Sequence, residues 1–408
     1  MMAAYRAASS GKKVLLCEKN LRLGEKLMLS GRGRCNFTNG LEGINEFVRK
    51  YGDKGKFLYS AFSKFSPQDT MSFFERNGVN YVSERGKRIF PEIGGSQRVL
   101  DMFLRLLKQY DAEIYRQSQV HTLRISDSRI NYIVTDQEEL TAEKYIIATG
   151  GLSYPTTGST GDGYIFAQQA GHTIVATYPA LVPLKTQERW VKFANGCDLH
   201  SVRVHVFLNG EEVAAKFGEM EFTNFGISGP IIMDLSSQVP DWRKIDENGE
   251  STDVLEFVID LKPALTREVL IARIYREMQQ DPDEKYRTGT KRFSSMLRSF
   301  VPARLIRLII ELTDIPHDKP VKFLSKDEIE KLANVLKNIK LTINGLWGYD
   351  NAIVTRGGVN LKEVDPSTMR SKLCDNLYFA GEVLDLNGPS GGFNLQMCWS
   401  TGYVAGSD

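Results

Sequence analysis

The stretch from residue 377 to residue 406, LYFAGEVLDLNGPSGGFNLQMCWSTGYVAG, constrains the fold of this chain most. Its first four residues are apolar and suit a buried strand, the Gly/Asp/Asn-rich residues after them suit a loop, and Gly391-Gly392-Phe393-Asn394 opens a helix. A helix opened by two glycines presents backbone N–H groups with no side chain in front of them. Those first N–H groups have no intrahelical acceptor and lie at the positive end of the helix dipole, so they form a seat for an anionic or electron-rich group.

The 408 residues are long for one hydrophobic core and predict two or three domains. With 42% hydrophobic and 25% charged residues, the chain reads as an ordinary globular protein rather than a disordered or fibrous one. No apolar run approaches the roughly 18 residues of a membrane span, and the start lacks the apolar core and cleavage pattern of a secretory leader. A cytoplasmic protein with no membrane partner is expected. The net charge of +2 makes no global case for nucleic acid, although a local basic face is compatible with a balanced total. The cysteines (Cys17, Cys35, Cys197, Cys374, Cys398) are odd in number and never form a CxxC pair, which argues against a disulfide framework and against structural zinc. His121, His172, His200, His205 and His317 show no metal-ligand spacing either, so no metal is expected.

The first residues, MMAAYRAASSG, carry small and apolar residues at helical spacing with Gly11 as a stop, and KVLLCEK then reads as a strand ending at Glu18. Helix, strand and terminal acid make the second half of a Rossmann βαβ unit, whose acid lies about 20 residues beyond a G-x-G-x-x-G turn and binds ribose hydroxyls. Counting back from Glu18 places that turn and its strand just before Met1, outside this chain. A capping helix and a solvated carboxylate are the plainer alternative on these residues alone. Next, Lys19, Arg22, Lys26, Arg32 and Arg34 surround a Gly31/Gly33 turn. Glycines let backbone approach a diphosphate and cations neutralise it, whereas a solvated charged face is the alternative.

Several blocks now point one way. RLG.KL..SGRGRCN.TN, ATGG at 148–151, YPTTGSTGDGY at 154–164, FTNFGISGP at 222–230, AIVTRGGVNLKEVDPSTMRSKL at 352–373 and the closing segment occur in order. Together they resemble the HI0933-like flavoproteins, also called BaiN/RdsA-like or aminoacetone-oxidase-like, and the resemblance runs essentially end to end. It implies a split Rossmann-like FAD-binding domain of α/β class. It further implies Glu18 on the adenosine ribose, with Lys19, Lys26, Gly31, Arg32, Gly33, Arg34, Cys35 and Asn36 along the diphosphate and flavin. Thr149, Gly150 and Gly151 would lie beside the cofactor, and Gly381, Glu382, Asp385, Gly391, Gly392, Phe393, Asn394 and Leu395 near the diphosphate and ring.

Pattern divides the remainder. Short apolar strands are expected at 13–19 and 144–149, the stripe Val99, Met102, Phe103, Leu106, Leu107 and Tyr110 is a helix's core face, and 197–260 alternates as strands with an Asn209-Gly210 hairpin turn. Helical patterns fill 265–340, interrupted near Pro282 and Pro316. The expected division is an FAD-binding first part at 1–178, a β-rich insert at 179–264, a helical insert at 265–340 and an FAD-binding return at 341–408.

A flavin performs the electron chemistry, so the protein must hold and tune it. The resemblance implies an FAD-dependent oxidoreductase driven by NAD(P)H that reduces a C=C bond, such as uracil to dihydrouridine in 23S rRNA or a small-molecule bile-acid or steroid bond. An amine oxidase releasing hydrogen peroxide and a non-catalytic truncated fragment are the alternatives. Cys35 beside Arg34 is a candidate proton donor with a lowered thiol pKa, although a packed cysteine is the commoner outcome. Tyr154, Tyr164 and Phe393 either line the ring or pack in the core. The basic stretch 285–307 offers phosphate contacts to RNA, or else is a solvated helix face.

Overall fold

Short strands pair in parallel where their connections are long enough to carry a helix, and two such pairs, the first half-exposed and the second buried, organise one half of this protein. In the computed structural model, which describes residues 1–243, 252–279 and 291–408, Leu15–Glu18 pairs with Glu113–Arg116, and Leu377–Phe379 pairs with Tyr145–Ile147. These strands belong to a compact unit formed by Met1–Ala180 and Gly348–Asp408. The expected stripe forms the buried face of the helix Gly95–Gln109, from Val99 to Leu107, while Tyr110 lies beyond its end and is exposed. Helix Met2–Ser9 ends as its sequence predicts, with Gly11 at φ +81° donating to Ala8. That helix packs on the closing helix Phe393–Ser407 through small residues. A Cβ at Gly406 would stand 2.3 Å from the Ala3 carbonyl oxygen, so only glycine permits the approach.

The second unit, Leu181–Trp347, is a closed antiparallel barrel with helices. Its strands, in spatial order, are Leu184–Thr186, Gly226–Ser228, Glu211–Thr223, Asp198–Leu208, Leu255–Asp260 and Ile339–Leu346. Asn209 and Gly210 both adopt positive φ between Leu208 and Glu211, the conformation an Asn-Gly hairpin requires. Helices Arg267–Gln279, Ile306–Thr313 and Lys326–Lys337 bury Leu270, Ile274, Leu308, Ile309, Leu332 and Leu336 in the same apolar core as the strands. The β-rich and helical segments thus share one core rather than forming two inserts. Strand Ile339–Leu346 pairs with Leu255–Asp260 and with Leu184–Thr186, so residues from 341 onward continue the barrel, and the first unit resumes at Gly348. Pro282 and residues 285–290 lie outside the described residues.

A buried polar node joins three connecting segments of the first unit. His172 Nε2 lies 2.7 Å from Ser371 Oγ, and its Nδ1 lies 3.3 Å from Glu363 Oε2. Ser371 Oγ already accepts from the N–H groups of Leu373 and Cys374, so its hydroxyl donates to a neutral imidazole whose Nδ1–H faces Glu363. Burial pushes the His172 pKa down and outweighs the Glu363 carboxylate, which pushes it up. The folded state therefore favours the uncharged ring. Stability from this node is fully present above the ordinary histidine pKa of about 6.5 and is lost as pH falls below it. Thermal unfolding should show a melting temperature that drops between about pH 7 and pH 5, and His172→Gln should flatten that drop.

Candidate functional site

The two ends of the chain meet at Gly392. This residue caps the closing helix at φ +98°, and a Cβ there would stand 2.2 Å from the Thr38 carbonyl oxygen and 2.4 Å from Asn36 Oδ1. Asn39 Nδ2 donates to the Gly391 carbonyl at 2.9 Å, Tyr51 Oη donates to the Phe393 carbonyl at 2.7 Å, and Asn394 closes the preceding loop onto Gly388. Apart from the turn at 390–392, the backbone N–H groups of Gly391 to Leu395 make no hydrogen bond to a protein acceptor among the described residues. Asn36 Oδ1 is likewise buried without a partner. Open donors and an orphaned acceptor at one helix start are what a polar ligand would satisfy.

Leading into Asn36, the turn runs through Gly31, Arg32 and Gly33 at positive φ, with Cys35 also left-handed. Its side chains go elsewhere than the sequence suggests. Arg34 pairs with Glu84 and lies 4.2 Å over the Phe90 ring. Lys19 pairs with Asp162 at 2.7 Å. Glu18 accepts from the Asn20 N–H, and burial pushes its pKa up. Arg32 stays exposed, without an ion pair among the described residues. The expectation that Cys35 has a lowered pKa is not met. Its thiol is fully buried, and desolvation pushes it up to about 12 despite hydrogen bonds with Ser30 and Ser96, while Arg34 is turned toward Glu84. A thiol reagent at about pH 8 should therefore leave Cys35 of the native protein untouched and label it once the protein is unfolded, as peptide mapping would show.

A second cluster centres on Glu382, which follows the strand Leu377–Phe379. Its Oε2 receives Lys26 Nζ at 2.6 Å, and its Oε1 accepts from Ser153 Oγ at 2.8 Å and the Thr355 N–H at 2.7 Å. Lys26 also donates to Ser153 Oγ at 2.6 Å. One carboxylate thus fastens four segments: the helix Glu25–Leu29, the loop after Gly151, the strand Val354–Val359 and the turn Gly381–Val383. The Thr355 hydroxyl oxygen accepts from Leu152 and Ser153, holding the Gly150-Gly151 loop. A Cβ on Gly151 would meet Thr355 Oγ1 at 2.4 Å and Tyr164 Oη at 3.0 Å. Tyr164 Oη is buried without a partner, and burial, then the Glu382 charge, raises its pKa far above the usual tyrosine range, so the phenol keeps its proton. Asp385 is buried and bonded by Lys54 at 2.5 Å; desolvation raises its pKa against the pull of that ammonium.

Of the expected residues, the structure brings Asn36 against Gly392, Lys26 against Glu382, and Gly151 against Thr355 and Tyr164. It spends Lys19, Lys26 and Arg34 on carboxylates and turns the Phe393 ring into the core, 4.8 Å from Phe47. Thr149 Oγ1 sits where a side chain at Gly163 would be, 2.1 Å from a built Cβ. Ser153, Thr355 and Lys54 were not singled out from sequence. Among the described residues no group of His, Cys, Asp and Glu could hold a metal ion, and no helix is long and apolar enough to cross a membrane. The residues fit an FAD in their unmet polar groups: backbone N–H groups at the start of the closing helix have no helical acceptor, and Asn36 Oδ1 and Tyr164 Oη lack partners, while Gly151 and Gly392 are required by the packing of Thr355, Tyr164 and Thr38 around them. Bound there, FAD would supply hydride and electron transfer.

Comparison with known proteins agrees. The family described as HI0933-like protein Rossmann domain matches residues 1–408. The chain is 30% identical over 409 residues to the 3-dehydro-bile acid delta(4,6)-reductase of Clostridium scindens, covering 100% of this chain and 95% of that protein. It is 30% identical to the ribosomal RNA dihydrouridine synthase of Haemophilus influenzae, covering 99% and 94%, and 27% identical to that of Escherichia coli, covering 100% and 94%. The chain belongs to the HI0933-like family of Rossmann-domain proteins and is an FAD-dependent oxidoreductase.

Proposed function

We propose that this protein is an NAD(P)H-driven reductase that adds hydrogen across a ring C=C bond, and that its substrate is a uracil in ribosomal RNA. The observation that carries the reading is the open row of N–H groups from Gly391 to Leu395 beside Asn36 Oδ1. Such a row favours a bound group that gains negative charge on reduction, because the helix dipole and free donors stabilise that charge without rearranging. Tyr164 holds its proton at Oη, and the Lys26–Glu382–Ser153 cluster keeps the loops around it in place. The three relatives support the acceptor: each name describes a C=C bond gaining hydrogen, and two of the three name ribosomal RNA. Nucleoside mass spectrometry of ribosomal RNA from cells lacking the gene tests this. A dihydrouridine should be missing and should return with the gene; an unchanged modification profile would contradict the RNA substrate.

A further inference from the structure

We infer that the barrel unit carries a binding surface for single-stranded RNA, built from Phe225, Trp347 and Phe193 with the cations Lys185, Arg189, Lys192 and Arg307. This rests on the RNA reading of the substrate. Phe225 occupies the turn between strands Glu211–Thr223 and Gly226–Ser228 and is 62% exposed, although its backbone is fixed by the Thr186 N–H donating to its carbonyl. A large aromatic ring held out on a rigid turn loses little freedom when a flat partner stacks on it. Trp347 stands beside it with ring centroids 5.7 Å apart, and Lys185 Nζ is 5.8 Å from the Trp347 ring centre. Lys185 pairs across the sheet with Gly226 on one side and Gly345 on the other, so its direct cross-strand neighbours carry no side chain.

The chain leaving Lys185 runs directly into the short helix Arg189–Ala194, which packs on the Gly226–Ser228 strand and on helix Ile306–Thr313. Here the pattern repeats: the Arg307 guanidinium lies 4.0 Å over the Phe193 ring, and Lys192 Nζ lies 5.6 Å from the same ring. Lys185, Arg189, Lys192 and Arg307 are all exposed, and none has an ion pair among the described residues. Glu311, one turn beyond Arg307 on the same helix, is exposed and makes no ion pair with it among the described residues, and two further acids are turned elsewhere. Glu188 turns its carboxylate to the Thr342 N–H, and Asp198 lies by Cys197 together with Arg304, which itself donates to the Gly196 carbonyl. Cations set beside aromatics, in the segment 185–193 and on the elements packed against it, match single-stranded nucleic acid, in which phosphates need positive charge and unstacked bases need a flat apolar face. Of the basic stretch singled out in sequence, Arg307 belongs to this surface.

The test uses the full FAD-loaded chain and a labelled oligouridylate of about a dozen nucleotides, with fluorescence anisotropy read at several salt concentrations. Phe225→Ala should weaken binding about tenfold, and Arg189→Gln/Lys192→Gln/Arg307→Gln should weaken it further and make the dependence of log affinity on log salt shallower by about two units. Both variants should keep their FAD and their anaerobic bleaching by NADPH. Affinity and salt slope unchanged in both variants would overturn the surface, as would tight binding of an acidic protein fraction with none of the oligouridylate. If the oligouridylate binds and the variants lose it while no uridine is ever reduced, the surface stands and the RNA-reductase reading fails. If uridine is reduced at undiminished rate by variants that bind RNA normally, the reductase reading stands and the surface fails.

Discussion

Replacing Gly392 with valine should abolish FAD binding and cost about 3 kcal/mol of stability. Two causes act at one atom. The backbone sits at φ +98°, which a β-branched residue tolerates poorly, and the new Cβ would overlap the Thr38 carbonyl at 2.2 Å and Asn36 Oδ1 at 2.4 Å. Thr38 is fully buried in the short strand Thr38–Asn39 and cannot retreat, so the helix start must move instead. Moving it displaces the N–H groups that the cofactor is to meet. Gly11→Ala separates strain from blockage: Gly11 also has a positive φ, +81°, where it ends the helix Met2–Ser9, but has nothing within 4 Å of its Cβ. That control should lose at most about 1 kcal/mol and keep its FAD. Flavin-to-protein ratio after purification and urea unfolding of the apoprotein report the two effects. A yellow, stoichiometric Gly392→Val protein would refute the placement of the seat.

The second large effect is expected at Lys26. Lys26→Met leaves the Glu382 carboxylate, 11% exposed at its side chain, with hydrogen bonds from Ser153 and Thr355 but no counter-charge. Removing one partner of a pair this buried costs about 3 kcal/mol. Glu382→Gln fails differently. Its amide oxygen can still accept from Ser153 and Thr355, but its NH2 group then faces the Lys26 ammonium, donor against donor. The double variant removes both charges and should recover most of the loss, a coupling that unfolding measurements read as a double-mutant cycle. FAD affinity should follow the same order, because the pair fastens the Gly150-Gly151 loop. Additive losses in the double variant would show that the four segments are held by something other than this pair.

Local chemistry made some of these features readable and hid others. The strand, loop and helix from Leu377 onward were visible because an apolar run followed by paired glycines has few other solutions, and the Asn209-Gly210 turn because few dipeptides accept positive φ twice. The helical pattern was expected to end near Lys340 and give way to the FAD-binding part, where the structure has the strand Ile339–Leu346. Its membership of the barrel was not legible, since the sheet that accepts a strand depends on non-local pairing. Charge was the least legible property. Lys19, Lys26 and Arg34 cluster in sequence around a glycine turn, yet each meets a carboxylate at least 50 positions away: Asp162, Glu382 and Glu84. Cys35 shows the same limit from the other side, because a neighbouring arginine in sequence says nothing about desolvation, which dominates its pKa. Thr355 and Ser153 passed unnoticed because a hydroxyl's role is set by what it touches.

We propose that electrons from NAD(P)H pass through a flavin held at Gly391–Leu395 to a C=C bond, and one anaerobic mixing experiment tests this directly. The FAD-loaded protein is bleached with one equivalent of NADPH, freed of excess donor, and mixed without oxygen with unmodified ribosomal RNA. Return of the yellow absorbance together with dihydrouridine in the RNA digest, one reduced base per flavin reoxidised, is the predicted result. A flavin that stays bleached until air is admitted, then recolours with release of hydrogen peroxide while the RNA remains unchanged, would contradict it.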